Sequence, residues 1–242
     1  MTGPSLRAVI FDWGGTLTEP LEPLLGRADI WAEAARKLLP EREEELVERL
    51  IATETELWRI SAEEHSSARL SDLFARAAEE LGLEVAEKLA EVEASHLASY
   101  APHVNHDPDA VGVLRALKDR GLKLGLLSNT LWPGSFHDSL LERDGLADLL
   151  DGVLYTSEME LTKPHPEAFK AILERIDIDD PGSAAFVGDR LWDDIFGAKR
   201  AGLRTVHRPR ETVPHFDVTP DAVIASLTDL LPLVDGWRAG RE

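Results

Sequence analysis

The stretch FDWGGTLT, residues 11–18, closes the apolar run Ala8-Val9-Ile10-Phe11 with one carboxylate and then turns through two glycines to reach Thr16. A run of four apolar residues ended by turn formers reads as a short buried strand. The same texture returns in LKLGLLSNT (122–130), DGVLYTS (151–157), AAFVGD (184–189) and LRTVHR (203–208). From the second run onward these segments alternate with helical patterns. One helix starts at about Pro108, with Asp107 as its cap and Gly121 as its end; another is opened by KPHPEAF (163–169), and a third follows Asp189. Continuous apolar strands alternating with helices specify an α/β fold with a doubly wound parallel sheet covered on both faces. Ligands of such sheets sit beyond the carboxyl ends of the strands, where Asp12 and the other polar residues gather.

Residues 17–104 lack any strand pattern. They are rich in Ala, Leu and Glu, with helical periodicity over about 26–39, 41–59, 66–82 and 84–100. This predicts a helical bundle inserted between the first and second strands, with residues 1–16 and 105–242 forming the α/β core. The insert carries 9 basic against 20 acidic residues, a net −11. On a helical wheel Leu46, Val47, Leu50, Ile51, Leu57 and Trp58 form one stripe with Glu54 near its middle, and Val85, Leu89, Val92 and Tyr100 gather around His96. The two polar residues are either buried and paired, with each other or with Arg69 or Arg76, or they face the ligand crevice.

Composition narrows the function. The 242 residues are 43% hydrophobic, enough for a substantial core, and the formal net charge is −19. Such a charge excludes nucleic acid and an anionic membrane as partners, because both reward clustered Lys and Arg. There is no cysteine, hence no disulfide, thiolate metal site or cysteine nucleophile. The opening MTGPSLRAVIFDWGG is too briefly apolar for a signal segment, and no later run has the roughly 18 apolar residues of a membrane span. A soluble cytoplasmic protein is expected, with no signature of its oligomeric state.

Four strand ends hold chemistry: Asp12; Ser128 and Asn129; Lys163; and Asp189 with Asp193 and Asp194 in FVGDRLWDD. Singly, each is an ordinary turn former, helix cap or surface charge. Together, in a parallel sheet, they converge on one crevice. Three carboxylates crowded together repel one another unless a hard divalent cation such as Mg²⁺ sits among them. A phosphoryl group brought to that cation needs donors, which Ser128, turn N–H groups and Lys163 supply. Asp12 is then placed to attack phosphorus, forming an aspartyl-phosphate that water hydrolyses.

The succession FDWGGTLT, LLSNT, TKPHPEAF and FVGDRLWDDIFGAKRAG, with a helical insert after the first, resembles the haloacid dehalogenase superfamily, and within it the phosphatase-like members with a helical cap over a Rossmann-like core. The resemblance spans essentially the whole chain. It implies that Asp12 is the nucleophile, that Ser128, Asn129 and Lys163 hold the transferring phosphoryl group, and that Mg²⁺ is bound by Asp12, the Gly14 carbonyl, Asp189 and Asp194. The implied substrate is a small phosphate monoester. At Gly14 the chain departs from the pattern, since the phosphatases of that superfamily usually carry there a second aspartate that serves as acid and base. Its loss is shared with the metal-free 2-haloacid dehalogenases, which leaves carbon–halogen hydrolysis as the competing enzyme reading; a weakly catalytic phospho-ligand-binding protein is the competing reading of another class. Glu19, His137 and Glu54 are the candidates for a substitute acid. Trp13, Trp132 and Trp192 follow motif residues closely and either pack beneath the cap or line the crevice.

Overall fold

The computed structural model describes residues 5–20, 26–84 and 87–240. Among these residues six parallel strands form one sheet: β1 (Ala8–Phe11), β2 (Lys123–Ser128), β3 (Gly152–Tyr155), β4 (Ala184–Gly188), β5 (Arg204–His207) and β6 (Ala222–Val223), in the order β3-β2-β1-β4-β5-β6. The first five are those marked by apolar runs. The last spans only two residues, too few for any periodicity to register.

β1 lies at the centre and is buried throughout. Because successive side chains alternate across a strand, it serves two cores. Val9 and Phe11 pack with Leu114 and Leu117 of α5 (Ala110–Asp119), Leu140 of α6 (Gly134–Arg143) and Leu230 and Val234 of α9 (Leu230–Arg238). Ala8 and Ile10 face Phe169 and Ile172 of α7 (Pro166–Arg175) and Ala198 of α8 (Gly197–Arg200). Layers on both faces are what the alternating sequence texture requires.

The described residues of the insert form four α-helices: α1 (Arg27–Leu38), α2 (Glu43–Glu64), α3 (Leu70–Glu80) and α4 (Leu89–Tyr100). They close around Trp31, Leu46, Leu50, Leu73, Phe74 and Val92, with the Trp31 and Phe74 rings meeting edge to face at 5.9 Å. α2 continues past the end of its periodic stretch and stops at His65, which takes a left-handed φ of 54°. Val85, expected on the last stripe, lies outside the described residues.

Two chain crossings join this bundle to the sheet, and they pair with each other. Thr18 and His106 form an antiparallel bridge, the Glu19 N–H donates to Asn105 O (2.9 Å), and the Asp107 N–H donates to Leu17 O (2.8 Å). Buried Arg208 fastens both, donating to Thr16 O at 2.6 Å and to Asp107 Oδ2 at 2.5 Å. Asp107 Oδ1 accepts the Asp109 N–H (2.9 Å) and so starts α5 from just outside it.

Candidate active site

Register sets the floor of the site. Phe11 is level with Leu126 on one side and Val187 on the other, and the Asp12 N–H donates to Val187 O at 2.9 Å. Asp12 therefore emerges where β1 ends, beside the ends of β2 and β4. Lys163 arrives from the loop before α7, and its ammonium lies 2.6 Å from Asp12 Oδ1 and 2.7 Å from Asp194 Oδ1. It is buried, with its nitrogen 5.1 Å from the centre of the Phe186 ring.

Asp194 is wholly enclosed and also accepts the Arg190 N–H on Oδ2 at 2.9 Å. It rides on a wide π-helical turn (Leu191–Phe196) preceding α8, where a regular helix was expected after Asp189. Such turns concentrate at functional sites. Two glycines permit the crowding. A Cβ on Gly188 would stand 2.3 Å from Asp194 Cγ, and one on Gly15, at φ 74°, would stand 2.6 Å from Asp189 Oδ2.

Asp12, Asp189 and Asp194 each bring a carboxylate oxygen within 4.8 Å of the others. Their electrostatics show an excess of negative charge over the single ammonium. Burial raises Asp12 to about 6, reinforced by the Asp194 charge and opposed by Lys163. Burial also pushes Asp189 up to about 8, with the Asp12 and Asp194 charges adding to the effect. Burial disfavours the Lys163 ammonium, but Asp12 and Asp194 outweigh it and hold the proton more tightly than usual. Asp189 Oδ1 is buried with no hydrogen-bond partner among the described residues. An orphaned carboxylate oxygen among clustered acids is the donor set of a hard divalent cation, which would satisfy that atom and the surplus charge together.

The remaining expected residues sit around this floor. Ser128 is buried at the end of β2 and lines the cavity, and its hydroxyl makes no hydrogen bond among the described residues. Asn129 uses both ends of its amide on the Lys163 peptide, donating to Lys163 O and accepting from its N–H, each at 2.9 Å. Its side chain thus fixes the lysine backbone. Gly14 borders the cavity, and a Cβ there would meet nothing within 4 Å. The first atom of a side chain at this position would meet open space. Asp193 lies beside Arg190 (3.5 Å) and borders the same cavity.

The cavity, about 800 Å³, is walled by the sheet ends below and the helical insert above. Trp13, Trp132 and Trp192 all border it. They are also packed: Trp13 meets His137 at 4.4 Å, Trp132 stacks on Tyr100 at 5.5 Å, and Trp192 stacks on Phe196 at 4.7 Å. Glu54 faces the cavity, and its partner is Arg27 (2.9 Å), not His96, Arg69 or Arg76. His96 lies fully buried against Trp31, ring on ring at 4.7 Å, and burial lowers it to about 4. His137 is likewise lowered by burial, to about 3, with Nε2 2.9 Å from the Thr130 hydroxyl. As a neutral ring it has no imidazolium proton to give, so it drops out as a substitute acid. Glu19 is exposed and does not border the cavity.

Sequence reasoning missed Arg27, Trp58 and Arg210, which also border the cavity. Arg210, on the loop after β5, donates to Gly15 O at 2.7 Å. Trp58 was in hand as part of the α2 stripe, one turn beyond Glu54, but its cavity-facing side shows only when the bundle is placed over the sheet.

The family model for haloacid dehalogenase-like hydrolases matches residues 6–202. A glyceraldehyde 3-phosphate phosphatase of Pyrococcus abyssi is 33% identical over 115 residues, 48% of this chain and 47% of that protein. The chain spans about half the length of the curated phosphatases it matches. The (S)-2-haloacid dehalogenase 1 of a Pseudomonas species is 27% identical over 240 residues, covering 95% of this chain and 96% of that one. Among solved structures, a HAD phosphatase from Thermococcus onnurineus superposes with a TM-score of 0.69 at 28% identity, over 96% of this chain and 100% of that one. The doubly wound sheet, the helical cap and an aspartate at the end of the central strand define a capped α/β fold. The chain belongs to the haloacid dehalogenase-like hydrolase family. Among the described residues no helix is long and apolar enough to cross a membrane.

Proposed function

We propose that the protein is a Mg²⁺-dependent phosphatase acting on a small phosphate monoester through an aspartyl-phosphate on Asp12. The observation that carries this reading is the cluster of Asp12, Asp189 and Asp194 with its unpartnered Asp189 Oδ1. A metal-free enzyme that draws in a carboxylate substrate has no use for three acids around one lysine. The phosphatase relatives support the same reading.

Asp12, the Gly14 carbonyl, Asp189 and Asp194 would hold Mg²⁺, which when bound neutralises the phosphoryl oxygens and the acids together. Lys163 keeps Asp12 in place through its 2.6 Å contact and lends positive charge to the incoming phosphate. The Ser128 hydroxyl donates to a phosphoryl oxygen. An Asp12 carboxylate oxygen bonds to phosphorus as the ester P–O bond breaks, and the leaving oxygen departs with the electron pair. Attack of water on the aspartyl-phosphate then yields inorganic phosphate and restores the carboxylate. No carboxylate at position 14 protonates the leaving oxygen. Esters that leave readily as anions, such as aryl, acyl and anomeric sugar phosphates, are therefore favoured.

The dehalogenase match over almost the whole chain favours a second reading, in which Asp12 displaces halide from carbon without a metal. One experiment separates the two: phosphate release from a phosphate-ester panel and halide release from 2-haloacids, each with Mg²⁺ and with chelator. Metal-dependent phosphate release that vanishes in a folded Asp12→Asn protein is the expected result. Halide release unaffected by chelator would replace the phosphatase reading, and activity retained in Asp12→Asn would remove the covalent route.

A further inference from the structure

The cavity roof contains a polar pair that the chemistry at the sheet does not use. Glu54 projects from the middle of α2, with its side chain 14% exposed. Its hydrogen bonds among the described residues fall on one oxygen: Oε2 accepts from Arg27 Nη2 at 2.9 Å and from Trp31 Nε1 at 3.2 Å. Arg27 Nη2 is held in turn by the Thr55 hydroxyl at 3.1 Å. Oε1 makes no hydrogen bond among the described residues, and it is not sealed from solvent. The carboxylate is thus oriented by two donors on one oxygen, leaving the other free to accept, and Glu54 borders the cavity. Trp58, Tyr100 and Trp132 border the same space.

We infer that Glu54 is a specificity-determining residue whose Oε1 accepts a hydrogen bond from a hydroxyl of the leaving group, making sugar and polyol phosphates the substrate class. Three arguments point there. A fixed acceptor that ligand binding shuts off from water is costly to cover unless the ligand brings a donor. Arg27 offsets the carboxylate charge, so the site suits a neutral hydroxyl over an ammonium group. Aromatic rings flanking a few directed polar atoms match a ligand with apolar C–H faces and hydroxyl edges. Among sugar phosphates, the anomeric ones carry a hemiacetal leaving oxygen, which demands less of the acid missing at Gly14 than an ordinary alkoxide does. This inference rests on the phosphatase reading and deepens it.

The test compares kcat/KM for glucose 1-phosphate, choline phosphate and phenyl phosphate in the parent and in Glu54→Gln. Gln can keep its carbonyl toward Arg27 and Trp31, which turns an NH₂ into the cavity and converts the acceptor into a donor at nearly constant volume. Phenyl phosphate stacks on the rings but offers no hydroxyl. The ratio of kcat/KM for glucose 1-phosphate over phenyl phosphate is expected to fall about 10- to 100-fold in Glu54→Gln, the loss of a charge-assisted hydrogen bond. A second readout needs no turnover: in a protein already carrying Asp12→Asn, glucose 1-phosphate should bind at least about 10-fold more tightly than inorganic phosphate by calorimetry, and Glu54→Gln should remove the difference. If the ratio holds within twofold while phenyl phosphate is hydrolysed with Mg²⁺, the inference falls and the phosphatase reading stands. Preference for choline phosphate also overturns it, in favour of a cationic leaving group. Hydrolysis of none of the three removes both.

Discussion

Gly188 and Asp194 share a space in which one added methyl group does not fit: a Cβ on the glycine would lie 2.3 Å from the aspartate Cγ. The strand end is bare so that a wholly buried carboxylate can lean over it toward Lys163. Gly188→Ala must therefore move the acid or the strand. Overpacking of this kind costs about 1–3 kcal/mol, which for a chain of this size lowers Tm by roughly 2–4 °C per kcal/mol. Thermal melting measures that loss, and phosphate release should fall with it; a protein that melts normally and keeps full activity would show that Asp194 needs no such clearance.

Divalent metal should stabilise the fold as well as permit turnover. A ligand that binds only the folded chain adds RT ln(1 + [L]/Kd), about 2.7 kcal/mol at a hundredfold excess over Kd. Melting with and without MgCl₂ should reveal a rise in Tm that Asp189→Asn abolishes, since Asp189 Oδ1 is the oxygen left without a partner. Identical melting curves in the parent with Mg²⁺ and with EDTA would refute the cation site.

Gly14→Asp should fold, because a Cβ there touches nothing within 4 Å and the residue has no left-handed φ to defend. General acid catalysis is worth on the order of 10²–10⁴ in rate. The parent's rates over a series of phosphate esters should climb steeply as leaving-group pKa falls, and in Gly14→Asp the slope should flatten through faster cleavage of alkyl esters. A flat series in the parent would mean that an acid reaches the leaving oxygen from elsewhere, with Glu54 the cavity residue to replace first.

Stability should weaken as pH falls through the histidine range. His96 is lowered by burial to about 4, so the unfolded chain takes up a proton near 6.5 while the folded one does not. The unfolded state is favoured by up to about 1.4 kcal/mol per pH unit between those two values, and the contribution is absent above pH 7. His96→Phe keeps a flat ring between Trp31 and Tyr100. Urea midpoints at pH 7 and pH 5 should therefore differ less in the variant than in the parent. An equal loss in both would show that His96 gains a proton in the folded protein.

The legible residues were those whose position follows from local texture. Asp12, Ser128 and Asp189 each end a strand or open the following turn, with Lys163 and Asp194 on the connections just beyond, and a parallel sheet brings such ends together whatever the intervening chain does. The anomaly of Glu54 was also visible, as a carboxylate on an apolar stripe. Its partner was not. Arg27 comes from another helix, and a salt bridge between helices depends on their crossing, which periodicity does not encode. The same holds for Arg210, an arginine in a loop until its contact with Gly15 O is seen. Asn129 shows a finer limit: its place beside Ser128 could be read from sequence, but its two bonds to the Lys163 peptide could not.

The central position of β1 also dictates an order of events at the ribosome. Ala8 emerges long before either of its strand neighbours, Lys123 on one side and Ala184 on the other. At about 5–20 residues per second, the first strand waits on the order of ten seconds or more for its second partner, carrying four apolar side chains with nothing to cover them. The helices of the insert emerge during that interval, and their contacts are local in sequence, which favours early formation. Pulse-labelling hydrogen exchange on nascent chains should find α1–α4 protected while β1 still exchanges freely. The bundle that roofs the cavity in the finished molecule would then fold before the strand that carries Asp12 finds its place.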